Sequence, residues 1–177
     1  MRSNSFSILQ RSLAATLAFV LGFYPVPAMS IPIGGKVISG NAAITQPNTN
    51  TLNINQTTNK AIINWKGFNI NVNELVKFIQ PSSSSVVLNR VVGVDPSSIL
   101  GHLVANGRVF VVNPNGIFFG PNSVVDVAGL FATTLGIKDS DFLAGKYNFT
   151  QDPTKSLSYV INQGEIKVSD NGFVFLV

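Results

Sequence analysis

The stretch from Gly107 to Ala128 leaves the backbone little choice. Gly-Arg-Val-Phe-Val-Val runs into Asn113-Pro114-Asn115-Gly116, then Ile117-Phe118-Phe119, then Gly120-Pro121-Asn122-Ser123, then Val124-Val125-Asp126-Val127. Proline sets φ at about −65° and so suits the second position of a β-turn. An Asn ahead of it hydrogen-bonds the backbone in front, and glycine suits the last position. Asn113–Gly116 is therefore a corner, and Gly120–Ser123 is a second one. The apolar runs between corners are nearly continuous rather than alternating, which suits strands buried on both faces. Strand, corner, strand, corner, strand is the local grammar of a β-solenoid.

The rest of the chain is consistent with that grammar. Leu52, Ile54 and Gln56 alternate with Asn53 and Asn55, a half-buried strand. Lys36–Ser39 is a short strand closed by Gly40. Ala61–Trp65 is another, with Ile63 and Trp65 on one side. After Gly67 the inward set is expected to change phase to Phe68, Ile70 and Val72, as at a bulge or corner. Asn69, Asn71 and Asn73 then share the opposite face, where they either form an amide ladder or meet water. Strands are expected over 76–80 and 86–92, joined by a polar connection at Pro81–Ser85. Asp95-Pro96-Ser97-Ser98 reads as a helix start or tight turn, and 99–104 as a helical turn or a strand. Asp139 or Ser140 is expected to cap one helical turn, with Tyr147-Asn148-Phe149 leaving it as a strand. Gly164–Val174 echoes Gly107–Phe118 through its own Asn171-Gly172, the kind of internal repeat expected of solenoids.

Composition narrows the function classes. Charged residues are 11% of the chain against 45% hydrophobic, while Asn occurs nineteen times. Polarity comes from amides, which stack without like-charge repulsion and tolerate left-handed corners. There is no cysteine, so neither a disulfide framework nor a thiolate metal site exists. Arg2 and Arg11 precede an apolar run from Leu13 to Phe23, and Val26-Pro27-Ala28 offers small residues for cleavage. This is read as a secretory signal peptide over 1–28, with cleavage after Ala28 and Ser30 as the second choice, since a membrane span needs about 20 apolar residues. Losing the leader reduces the formal charge from +4 to +2, too little to point to nucleic acid or an anionic membrane. Residues 29–177 then form one domain, and Val177, inside a strand-like run, suggests that the natural protein continues.

Catalytic chemistry is sparse. His102 is the sole histidine, so a nucleophile–histidine system would rest on one residue with no orienting partner in view. Of eight carboxylates only Asp139 and Asp141 lie close together, and helix capping accounts for them. No catalytic, cofactor or metal residues are assigned. Trp65 and Phe68 are either a core or cap pair or an exposed platform for a sugar or partner.

One ordered set of residues carries a family resemblance. Thr58-Asn59-Lys60-Ala61-Ile62-Ile63-Asn64-Trp65-Lys66-Gly67-Phe68-Asn69-Ile70, then Asn89-Arg90-Val91, then Gly107–Ile117 closely resembles the filamentous-haemagglutinin-type N-terminal domain of two-partner secretion exoproteins, from about Gly35 to the end. The resemblance implies an all-β, right-handed parallel β-helix with an N-terminal cap and small extra-helical β elements. It also implies export across the inner membrane by the Sec translocon, and recognition in the periplasm by the repeats of a cognate outer-membrane transporter. The folded domain would then seed the β-helix of a large exoprotein, often an adhesin, at the cell surface or in the medium. Asn113, Pro114, Asn115 and Gly116 are the motif residues it carries over, with Asn89 as the weaker match. The Asn-Pro-Asn-Leu tetrad of some relatives is absent. A different reading makes the domain itself an adhesin that binds host or neighbouring-cell glycans.

Overall fold

A computed structural model describes residues 31–177; the leader expected at 1–28 lies outside them. The chain winds into a three-sided β-solenoid, and each side is a sheet of parallel strands contributed one per coil. The first coil holds β3 (Thr51–Gln56), β4 (Lys60–Trp65) and a single bridge at Ile70. The second holds β5 (Leu75–Ile79), β6 (Val86–Val91) and β7 (Ser97–Ile99), and the third β8 (His102–Ala105), β9 (Arg108–Val112) and β10 (Ile117–Phe119). The fourth holds β11 (Val124–Val127), β12 (Gly129–Thr133) and β15 (Val160–Asn162), and a fifth begins with β16 (Glu165–Val168) and β17 (Val174–Leu176). Two further strands close the start: β1 (Lys36–Ser39) pairs antiparallel with β4, and β2 (Ala42–Asn48) antiparallel with β3.

Register explains the burial. Leu52, Val76, Leu103, Val125 and Ile166 occupy one column across five coils, and Ala61, Val87, Val109, Leu130 and Val174 another. No single coil can bury its inward set alone, so stacking builds the core. That core runs from Ile31 at the cap to Leu130 and Ala132.

The sheet containing β4, β6, β9 and β12 is also covered outside. Its outward residues Ile62, Leu88, Phe110 and Val112 pack under Ile137, Phe142 and Phe149, which come from an insertion between β12 and β15. That insertion contains β13 (Gly136–Ile137), α1 (Asp139–Leu143) and β14 (Phe149–Thr150). The unbroken apolar run of β9 from Val109 to Val112, and that of β6 from Val86 to Leu88, follow directly, since both faces are covered there. Two cations pin the insertion to the coils. Lys60 Nζ donates to the carbonyls of Phe142 and Leu143 at 3.2 and 2.7 Å, satisfying the end of α1. Arg90 Nη2 meets Asp139 Oδ1 at 2.7 Å and the Ile137 carbonyl at 2.8 Å.

Several sequence expectations need correction. Val72 does not join the inward set: it is half exposed, because past Trp65 only isolated bridges at Gly67 and Ile70 hold the chain before it turns out at Asn71–Glu74. Asn69, Asn71 and Asn73 form no ladder; Asn69 Oδ1 accepts from Ser98 N of the next coil and Asn73 is exposed. Neither Asp139 nor Ser140 caps α1, whose N-cap is Lys138 without a side-chain bond; the Asp139 carboxylate is taken by Arg90 instead. The echo of Gly107–Phe118 in Gly164–Val174 is not a structural repeat. The first segment passes through β9 and β10, the second through β16 and β17, so the echo aligns β9 with β16 and β10 with β17, strands of different sheets. The undecided 99–104 segment is the end of β7, a corner at Leu100–Gly101 and most of β8. A Cβ on Gly101 would collide with the Asn71 carbonyl oxygen of the preceding coil.

If the insertion is part of the fold's stability, Phe142→Ala should cost about 3–5 kcal/mol, a drop in melting midpoint of about 6–20 °C. An unchanged midpoint in a calorimetric scan would show that the insertion is a detachable ornament.

Candidate functional site

The motif corner joins β9 to β10. The Gly116 N–H donates to the Asn113 carbonyl at 3.1 Å and closes the turn, with Pro114 at its second position. Gly116 sits at φ 115°, a conformation closed to most side chains.

The two asparagines do more than close their own turn. Asn113 is fully buried: its Nδ2 donates to Ser97 Oγ at 2.9 Å and to the Asp95 carbonyl at 3.1 Å, both on the corner of the preceding coil. Its Oδ1 accepts from Asn115 N at 2.9 Å, an Asx turn, and its backbone N–H reaches forward to the Thr133 carbonyl at 3.0 Å. Asn115 Nδ2 donates to the Gly93 carbonyl at 3.0 Å, again on the preceding corner. The corner therefore fastens three successive coils.

Asn89 lies elsewhere, on the inward face of β6. Its Oδ1 accepts from Trp65 Nε1 at 3.0 Å and its Nδ2 donates to the Phe110 carbonyl at 3.3 Å. Trp65 and Phe68, both 1% exposed, meet edge to face with centroids 5.7 Å apart. A Cβ on Gly35 of the cap would collide with the Trp65 ring. So the structure unites Trp65, Phe68 and Asn89 in one buried group beneath the N-terminal cap, and neither ring has a face open to a sugar. The residues singled out from sequence thus divide between the cap and the corner.

Sequence reasoning missed the surface beside the corner. Pro96, Asn115, Gly116, Ile117, Phe118 and Ile161 line an open apolar groove with Leu157 and Tyr159 on its rim. Leu157 is 79% exposed and Tyr159 75%, with Val94 of the neighbouring corner at 82%. Leu157 and Tyr159 follow a polar stretch with no strand pattern, so only an unexplained apolar pair signalled them. Among the described residues no group of three or more His, Cys, Asp or Glu side chains converges to hold a metal, and His102 lies exposed on β8.

Removing the Asn113 side chain strands a buried hydroxyl, a carbonyl and an N–H. Asn113→Ala should therefore destabilise by about 2–4 kcal/mol, against about 1 kcal/mol for Asn115→Ala, whose Nδ2 loses the Gly93 carbonyl and Asn113 Oδ1 at a half-buried site. Urea unfolding of both variants checks the order; equal effects would contradict the inter-coil role of Asn113.

Comparison with known proteins agrees with this architecture. A family model described as TPS secretion domain matches residues 28–177. A heme/hemopexin-binding protein of Haemophilus influenzae strain Rd is 34% identical over 174 residues, covering 84% of this chain and 19% of its own length. A second Haemophilus influenzae protein of the same description is 38% identical over 116 residues, covering 66% of this chain. The chain spans 19% and 12% of the length of these curated relatives. The crystal structure of the HMW1 secretion domain from Haemophilus influenzae superimposes with a TM-score of 0.78 at 39% identity, covering 82% of this chain and 38% of that one. The matched family is one of secretion domains of secreted exoproteins, not an enzyme family. With the three-sided solenoid, its antiparallel cap and its Asn-Pro-Asn-Gly corner in place, the chain belongs to the TPS secretion domain family.

Proposed function

We propose that residues 29–177 are a recognition module for a cognate outer-membrane transporter, reached in the periplasm after Sec-dependent export and removal of the 1–28 leader. The observation that carries this reading is the division of labour at the corner. The amides of Asn113 and Asn115 are spent on the preceding coil, whereas the groove beside them presents apolar side chains to solvent. Exposed apolar surface rimmed by polar residues marks interaction sites, and its aromatic and aliphatic members act as anchors. The motif fixes the height and angle of the corner, and the partner reads Leu157 and Tyr159 on the groove's rim together with Val94, exposed on the preceding corner. Transporter contact then opens the route outward for the exoprotein.

The same reading includes seeding of folding. In β17 Val174, Phe175 and Leu176 are all exposed, and the strand pairs on one side only, with β12. A following coil can add there through main-chain hydrogen bonds. Trp65 and Phe68 are buried, so a glycan-adhesin reading would need another surface than the platform they offered.

The test is co-expression of the full chain with and without candidate transporters, assaying culture medium against periplasm. Transporter-dependent release is expected, and Leu157→Asp with Tyr159→Asp should reduce it at least about tenfold while melting stays unchanged. Release without any transporter would overturn the recognition reading. Undiminished release of the double variant would remove the groove from it.

A further inference from the structure

The geometry points to a second, separate site: a recess on the outer face of the β9–β12–β17 sheet that takes a small ligand made of an aromatic ring bearing a carboxylate. Six side chains line it, Arg108, Phe110, Phe131, Tyr147, Phe173 and Phe175. They come from three coils and from the insertion, so only the folded solenoid assembles them. Phe110 forms the buried floor, stacked on Phe131 with centroids 5.2 Å apart and 5.1 Å from Tyr147. Phe175, 5.7 Å from Phe131 and 5.5 Å from Phe173, is half exposed, as is Tyr147, so the recess opens to solvent between them. Its volume of about 240 Å³ suits one or two rings, below the range of about 300–1,000 Å³ usual for drug-sized ligands.

The charge at the wall selects the ligand. Arg108 lies over Phe173, its Cζ 5.5 Å from the ring centroid. The two ion pairs among the described residues belong to Arg90 and Lys167, and the Arg108 guanidinium has no carboxylate within reach. A guanidinium resting on a ring keeps its in-plane N–H fork free, and that fork matches a carboxylate. Burial pushes the Tyr147 phenol above its ordinary value, with Arg108 opposing, so the hydroxyl stays protonated and able to donate. Five aromatic rings supply edges and faces for the ligand's ring in offset or edge-to-face contact. A neutral arene would leave the cation unanswered, and a simple carboxylate would leave the rings in water.

The experiment compares 3-phenylpropionate, 3-phenylpropanol and acetate by ligand-observed NMR on the full chain. The expected dissociation constant for 3-phenylpropionate is on the order of 1 mM, at least about tenfold tighter than for the alcohol or acetate. Arg108→Gln should abolish that difference, and Arg108→Lys, which keeps the charge without the fork, should retain part of it; circular dichroism verifies the fold of each. Absence of saturation up to about 20 mM, equal binding of acid and alcohol, or an unchanged constant in a folded Arg108→Gln overturns the site. Should both Arg108 variants fail to fold, the comparison of acid with alcohol on the unaltered chain decides alone. Because no transporter enters this assay, its outcome is independent of the export reading.

Discussion

Holding successive coils in one register is the constraint on which everything else in this fold depends. A strand displaced by one residue would turn its inward side chains outward, and here every column is shared by several coils. Main-chain hydrogen bonds between parallel strands fix spacing but do not choose among registers. The choice falls to the corners. Asn113 and Asn115 reach back to the carbonyls of Asp95 and Gly93, and Asn113 N–H reaches forward to Thr133, so one turn indexes three coils. On another edge Gln80 Nε2 donates to Gln56 Oε1 at 3.3 Å, and Gly107 continues that edge where a Cβ would lie 2.5 Å from Gln80 Oε1. Amides serve here because stacked positions repeat the same environment, and like charges placed one above another would repel.

The dipeptide Asn89-Arg90 shows how one strand serves both faces. Successive side chains of a strand point oppositely. Asn89 points inward and satisfies the indole N–H of Trp65, a donor that would otherwise be buried without a partner under the cap. Arg90 points outward and holds Asp139 and the Ile137 carbonyl of the insertion. Exchanging the two would bury a cation and leave the insertion untied. Their order therefore follows from the topology of the strand.

Much of this was legible in the sequence. The turn at Asn113–Gly116, the alternation of β3 and the doubly buried character of β9 are local properties, and local chemistry gave them away; the same expectation fails at β10, whose Phe118 lies half-buried in the open groove. What stayed hidden is what depends on distance along the chain. The coils begin at Thr51, Leu75, His102, Val124 and Glu165, unequally spaced, with the insertion lengthening the fourth turn. No fixed period survives such spacing, and the resemblance between 107–118 and 164–174 therefore paired strands from different sides. Val72 was misjudged because an alternating pattern continues in the sequence past the point where the backbone leaves the sheet. The Asp139–Arg90 pair spans 49 positions, and no local signal distinguishes a carboxylate capping its own helix from one claimed by a distant guanidinium.

The burial of Asn113 changes what a sequence motif can be taken to mean. A motif read by a partner should present its polar atoms to that partner. This one turns them inward, onto the coil beneath, with Ser97 Oγ and two carbonyls as recipients of its N–H groups and those of Asn115. Such a motif specifies a shape rather than a contact. Its neighbours on the rim, Leu157 and Tyr159, sit in a stretch without strand pattern or turn signature and form no part of the core. If a partner reads this corner, the readable chemistry is therefore apolar and its position is set by polar groups the partner never touches. Substitutions in the motif then act through displacement of the rim, and their effects on recognition should follow their effects on stability, whereas substitutions on the rim should separate the two.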